Sequence, residues 1–289
     1  MDLIIIDSPF ICYKSMVAMK GLSWEEHSTG VIFGFLREIQ QLSERFPSAR
    51  FAFAWDSKKS YRRDIYPEYK RRRATEMDPE MVDLLRSGKP QFDEIRLKVL
   101  YRLGFKNNFI EVGLEADDII AWLVNDYAWE MENVYIVSSD EDLYQLLHKN
   151  VTIYNPRTKT YFNREDFEKE YGIHPDYWSW VKAVAGCQSD NVLGIVGVGE
   201  KTAIKYLKGE LKPGKRFDEI KEFDINFNMS LVKLPHDRAY PVTLINDEFN
   251  FDVFEGLCLD YGFQSLLKKE TYLKWRTILG GIANVRTQT

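Results

Sequence analysis

Three short apolar runs, each leading to an acid, constrain this chain more than any other feature. Leu3-Ile4-Ile5-Ile6 runs into Asp7, Phe51-Ala52-Phe53-Ala54-Trp55 into Asp56, and Val134-Tyr135-Ile136-Val137 reaches Asp140 after two serines. Continuous apolar runs of this length predict strands buried on both faces, as in a parallel sheet. Between them, residues 30–46 and 119–130 carry apolar side chains every three or four positions, which predicts helices. The alternation implies an α/β fold with a doubly wound, mostly parallel sheet. Such sheets bind ligands beyond the carboxyl ends of their strands, so three strand ends deliver three carboxylates to one edge. A lone Asp after a strand is usually a turn former or helix cap, and the recurrence is what points to a site.

Val151-Thr152-Ile153-Tyr154 predicts a further strand, and from Asn163 onward the pattern becomes mainly helical, with a boundary near Gly172-Ile173-His174-Pro175. The expected organisation is a catalytic domain over 1–172 and a helical region over 173–289. Residues 211–252, interrupted by Pro213, Pro235 and Pro241, predict long loops with no assigned role. The 45% hydrophobic and 14% aromatic content supports a folded core. Three cysteines without a C-x-x-C pair suggest neither a disulfide framework nor a structural zinc site. The acidic, quickly interrupted amino terminus is unlike a signal peptide, and the expected setting is the cytoplasm, with no membrane role.

The net charge of −5 is unevenly distributed. Residues 58–73 hold eight basic side chains (Lys58, Lys59, Arg62, Arg63, Lys70, Arg71, Arg72, Arg73) against Asp64 and Glu68, so this strip carries +6 and the remainder −11. A basic strip beside an acid-rich body suits a protein that grips phosphates and also holds divalent cations, although a solvated helix face is the plainer reading of any charge run. Glu115-Ala116-Asp117-Asp118 opens the second predicted helix, where capping accounts for one or two acids but not three. Ser138-Ser139-Asp140-Glu141-Asp142 forms a second acidic cluster. Hard divalent ions take few carboxylates each, so this many acids suggest two ions, the arrangement that activates water and stabilises the leaving oxygen in phosphodiester hydrolysis. Lys70 to Arg73 oppose the dipole of a helix beginning after Pro67 and are better explained by phosphate contact. Tyr66 and Tyr69 could stack on an unpaired base or simply pack. The Gly197-Val198-Gly199 turn entering Glu200-Lys201-Thr202 suits backbone contact with a DNA strand, a weak signal alone.

Taken in order, Asp7, Asp56, Tyr69-Lys70-x-x-Arg73, Glu115-Ala116-Asp117-Asp118, Asp140-x-Asp142, Gly186-x-x-x-Asp190-Asn191, the 194–203 glycine-rich segment and Phe263-Gln264-Ser265-Leu266-Leu267 resemble the 5′ nuclease or flap endonuclease family. That family includes bacteriophage 5′→3′ exonucleases and the nuclease domain attached to bacterial DNA polymerase I, and its fold is PIN-like. The resemblance implies that Asp7, Asp56, Glu115, Asp117, Asp118, Asp140, Asp142 and Asp190 hold two Mg²⁺ or Mn²⁺ ions. It implies that Lys70 and Arg73 act on the scissile phosphate at the base of a helical arch near 70–92. Arg62, Arg63, Arg71, Arg72, Gly197, Gly199, Lys201 and Thr202 would contact DNA, the glycine segment forming a helix–three-turn–helix element that can also hold K⁺. The expected activity is structure-specific 5′→3′ exonuclease or flap endonuclease cleavage near single-strand to duplex junctions, by a monomer acting on 5′ flaps, free 5′ ends or RNA/DNA primers in replication or repair. Where the family usually has Gly-Asp-x-x-Asp-Asn, this chain has Cys187, so one carboxylate is missing. A haloacid-dehalogenase-like phosphatase is disfavoured because Pro9 stands where its second Asp belongs. A catalytically silent DNA-junction binder is the serious alternative.

Overall fold

The computed structural model describes residues 1–71, 79–239 and 241–284. In chain order the strands are β1 (Leu3–Asp7), β2 (Ser23–Trp24), β3 (His27–Ser28), β4 (Arg50–Trp55), β5 (Asn108–Ile110), β6 (Val134–Val137), β7 (Val151–Asn155), β8 (Thr160–Phe162), β9 (Gly186–Cys187) and β10 (Val192–Leu193). The helices are α1 (Ser8–Ala18), α2 (Gly30–Arg45), α3 (Tyr61–Ile65), α4 (Pro79–Glu94), α5 (Leu100–Leu103), α6 (Ala116–Tyr127) and α7 (Arg164–Tyr171). They continue with α8 (Trp178–Ala185), α9 (Glu200–Leu207), α10 (Lys215–Glu222), α11 (Asn226–Val232), α12 (Asp252–Asp260) and α13 (Lys269–Asn284). The class is mixed α/β with a largely parallel sheet, and the four strands read from apolar runs are all present. The contacts of the chain gather into two units that interleave in sequence: 1–55 with 78–109 and 243–289, and 56–77 with 110–242. They do not divide at residue 172.

In the first unit β1 pairs in parallel with β4, Leu3 facing Arg50 and Asp7 facing Ala54. Every residue of β1 is buried, as a strand covered on both faces requires. Helix α2 buries Val31, Ile32, Phe35, Leu36, Ile39 and Leu42, the stripe expected of 3.6 residues per turn. Burying one Phe or Leu contributes about 1.5–3 kcal/mol, so this stripe outweighs propensity in fixing the helix. Its cap residue Thr29 makes no side-chain cap bond. Instead Gln91 of α4 accepts hydrogen bonds from the Val31 and Ile32 amides at 2.9 and 3.2 Å. The expected arch over 70–92 therefore meets this unit's core at its far end, where Gly88 and Gln91 are buried and Phe92 packs edge-on to Tyr13. Residues 72–78 of that arch lie outside the described residues. Gly104 ends α5 in the left-handed region (φ 92°), and a Cβ there would lie 1.9 Å from the Glu248 carbonyl oxygen. That close approach lets 245–248, part of the loop region without an assigned role, bond Asn107, Lys106 and Gly104.

In the second unit β6 and β7 are parallel and β8 returns antiparallel. Glu115 and Asp118 form a reciprocal capping box at the start of α6. Tyr144, Phe167, Tyr171 and Trp178 make an aromatic cluster, with the Trp178 indole N–H donating to the Glu141 carbonyl at 2.8 Å. A second apolar cluster joins Tyr69, Ala183, Cys187, Val192, Leu231 and Val232. No described helix is long and apolar enough to cross a membrane.

Candidate metal and phosphate site

The acids predicted to matter are spread over several elements. Asp7 ends β1 in the first unit, where its carboxylate accepts the Phe10 amide at 3.1 Å and caps α1. The other seven belong to the second unit. Asp56 accepts the Ala116 amide, in the first turn of α6, at 2.9 Å. Asp117 lies in that turn. Asp140 caps the 3₁₀ turn Glu141–Leu146 by accepting the Asp142 amide at 2.9 Å.

Around Glu115 the structure assembles a compact charged centre. The Lys70 ammonium donates to Glu115 at 2.8 Å and lies 3.7 Å from Asp190. The Tyr69 hydroxyl lies 3.0 Å from Glu115 and 3.1 Å from Asp190. Tyr69 is 2% exposed, so of its two expected roles packing is the one realised. Burial, together with Glu115 and Asp190 and against the pull of Lys70, pushes its phenol up, so it serves as a donor. Burial alone would lower Lys70, but Glu115, Tyr69 and Asp190 overcome that and hold the ammonium above the usual lysine range. Its backbone is left-handed (φ 56°), a conformation costing a non-glycine residue on the order of 1–2 kcal/mol. The Lys70 amide donates to the Asp190 carbonyl at 2.8 Å, and Asn191 (φ 59°) donates to the Glu68 carbonyl at 2.9 Å. These two bonds fix the turn that aims Lys70.

Two expected roles change. Arg62, read as an exposed phosphate contact, is 2% exposed and forks onto Asp118 at 2.6 and 2.8 Å. It also donates to the Leu231 and Lys233 carbonyls, so four of its five N–H groups are used inside the protein and the side chain is turned away from solvent. Asp118, read as a metal ligand, is fully buried and also accepts the amides of Glu115 and His236. With two guanidinium bonds and two amide bonds its oxygens are used. Burial would raise its carboxyl, but Arg62 and the backbone donors outweigh that and hold it below the usual range.

A second centre lies where Asp142, Cys187 and Asp190 approach. Their ligand atoms fall within 4.8 Å of one another, and among the described residues this is the group of three that could hold a metal ion. Burial and the neighbouring Asp140 raise Asp142 to about 6, Lys182 opposing. Burial and the two acids push the Cys187 thiol up to about 11, so it is the inert, buried side chain expected from its type. Lys182 of α8, not foreseen, places its ammonium 3.4 Å from Asp142 and 3.0 Å from Glu200. The available signal was a lone charge in Trp178-Ser179-Trp180-Val181-Lys182-Ala183-Val184-Ala185. Asn228, also missed, clamps the Ala183 and Leu193 carbonyls at 2.7 and 2.8 Å. Nothing in its neighbours announces that.

Of the remaining basic strip, Arg63 and Arg71 are exposed, Arg71 pairing with Glu68. Arg72 and Arg73 lie outside the described residues. Gly197 is left-handed (φ 78°), and Gly199 caps α9 without a side chain, a Cβ there meeting nothing within 4 Å. Lys201 is exposed and Thr202 half-buried on the first turn of α9. Acidic clusters, an inward lysine and an open, glycine-started helix are what a class of proteins that hold divalent cations and meet phosphates would need.

Comparison with known proteins is consistent with this class. Residues 2–172 match the model of the 5′-3′ exonuclease, N-terminal resolvase-like domain. The chain is 34% identical over 209 residues to a 5′-3′ exonuclease of Buchnera aphidicola, covering 71% of this chain and 69% of the relative. It is 34% identical over 248 residues to a 5′-3′ exonuclease of Aquifex aeolicus, covering 81% and 82%. Among solved structures it resembles the bacteriophage T5 D15 protein co-crystallised with metal ions, with a TM-score of 0.68 at 18% identity over 98% of this chain and 100% of that one. This chain belongs to the 5′-3′ exonuclease family.

Proposed function

We propose that the chain is a metal-dependent, structure-specific 5′ nuclease that hydrolyses phosphodiester bonds near single-strand to duplex junctions. The observation that carries this reading is the Lys70–Glu115–Asp190 centre: a partly buried ammonium, held on a left-handed turn against carboxylates that already have more acids around them than capping needs.

Asp56, Glu115, Asp117, Asp140, Asp142 and Asp190 offer oxygen donors of the kind Mg²⁺ or Mn²⁺ takes, and they fit such ions everywhere except at Cys187, whose protonated thiol is no oxygen equivalent. Bound there, divalent ions would supply activated water and stabilise a leaving oxygen. The chain's own groups do the rest. Lys70 presents N–H donors and a full charge to a phosphate entering beside Glu115. Tyr69 donates its one hydroxyl proton to Glu115 or Asp190 and holds that carboxylate in place. The Arg62–Asp118 pair holds the first turn of α6, from which Glu115 and Asp117 project. Arg63, Arg71, Gly197, Gly199, Lys201 and Thr202 provide the sequence-independent grip on the backbone that a junction enzyme needs. Arg73 keeps its expected role beside Lys70 at the scissile phosphate, and Arg72 its role as a DNA contact.

The same reading takes 173–289 as the DNA-gripping region, with carbonyls of the glycine turn as a K⁺ site, and assigns a monomer acting in the cytoplasm on DNA flaps or RNA/DNA primers. The bacteriophage T5 relative has been solved with DNA and metal ions, which supports DNA as substrate class. The test is a 5′-labelled flap incubated with and without Mg²⁺ or Mn²⁺. Short 5′ products are expected only with the ion; metal-independent binding without products would favour the silent junction binder.

A further inference from the structure

Cys187 and Lys182 change the charge of the same corner in the same direction. The Cys187 thiol stands where the resemblance implies a carboxylate, and the Lys182 ammonium, 8% exposed, places a positive charge 3.4 Å from Asp142 and 3.0 Å from Glu200. Its position is built rather than incidental: Lys182 sits one helical turn after Trp178 and lies over that ring at 5.1 Å, so the aromatic face, α8 and two carboxylates all orient it. A divalent ion drawn to Asp142 and Asp190 would meet this ammonium in a partly desolvated setting, where like-charge repulsion is strong. Lysine is also a compact charge whose three donors can be shared among several carboxylates, as an ion shares its coordination.

We propose that the Lys182 ammonium is a resident cation standing in for one divalent ion beside Asp142, so that this chain holds one divalent ion tightly rather than two. This rests on reading Asp142 and Asp190 as part of a metal site, but its test does not depend on turnover. Mn²⁺ bound per chain is counted by electron paramagnetic resonance and calorimetry for the parent, Lys182→Met and Lys182→Met/Cys187→Asp. The parent should bind one ion tightly and a second at least tenfold more weakly. Lys182→Met should tighten the second ion tenfold or more, and adding Cys187→Asp should bring the two ions to comparable affinity.

Two ions of similar affinity in the parent would overturn the proposal, and this result needs no variant to fold. So would a folded Lys182→Met chain, verified by circular dichroism, whose second-ion affinity is unchanged, since a lysine that only neutralises Asp142 for stability would behave that way. Flap cleavage followed in the same samples reports separately on the nuclease reading. One tight ion without cleavage would remove that reading and leave the resident cation standing.

Discussion

At the scale of residues, the molecule separates basic side chains that face outward from those that complete a charge centre. Lys70 is the clearest case, and Lys70→Ala should lower single-turnover cleavage of a flap by about 10²-fold while changing DNA affinity by only a few-fold, because one phosphate contact among many matters little to binding but locally stabilised charge matters to the rate. Equal losses in both would mean that Lys70 merely anchors DNA. Asp118→Asn should leave Arg62 buried without its charge partner and cost about 3–5 kcal/mol of stability at neutral pH, measured by urea unfolding. The pH dependence has a definite sign. The Asp118 carboxyl is held low in the folded chain, so its contribution is full above the unfolded value of about 3.9 and disappears as pH falls through the lower folded value. The gap between parent and variant should therefore be constant above roughly pH 5 and narrow below pH 4; a gap that widens in acid would exclude this origin. The sequence showed the basic strip but not that Arg62 turns inward. Composition places a charge run without saying which positions of the short α3 helix face Leu231 and Asp118, and that depends on segments more than fifty residues away.

At the scale of elements, the start of α2 shows how a distant chain segment does the work of a local cap. Gln91 supplies the acceptor that Thr29 does not, so Gln91→Leu should cost about 1–3 kcal/mol by leaving the Val31 and Ile32 amides unsatisfied, with no change in cleavage rate where the variant is folded. Thermal melting alongside a flap assay checks both halves. At the α9 start the expected effect runs the other way. Lys201 is exposed and touches no charge centre, so Lys201→Ala should weaken DNA binding, reduce the slope of log affinity against log salt by about 1, and leave the single-turnover rate at saturating enzyme unchanged. The strands were legible because β1, β4, β6 and β7 are continuous apolar runs. The two-residue hairpins β2–β3 and β9–β10 and the extended 245–248 segment were not, because their order comes from bonds such as Asn107 to Ile245 rather than from periodicity.

At the scale of the whole molecule, the acids Asp56, Glu115, Asp117, Asp140, Asp142 and Asp190 share one compact unit built from two separate stretches of chain, 56–77 and 110–242. A linear division near 172 follows the change from alternating to helical pattern in the sequence, whereas packing joins segments by contact and ignores that order. The candidate site was readable as a set of acids, since their positions at strand ends and helix starts are visible in the sequence. The neutralisation of Asp118 and the insertion of Lys182 were not, since each needs a partner brought in by the fold. The central claim is that these acids make the chain a nuclease and not only a binder, and the most direct measurement is single-turnover cleavage of a 5′-labelled flap in Mg²⁺ beside equilibrium binding, for the parent, Asp56→Asn and Asp140→Asn. The account predicts short 5′ products from the parent and a loss of at least about 10³-fold in both variants, with affinity for the flap kept within a few-fold. Either variant cutting at the parental rate, or a parent that binds the flap in Mg²⁺ and yields no product, would contradict it.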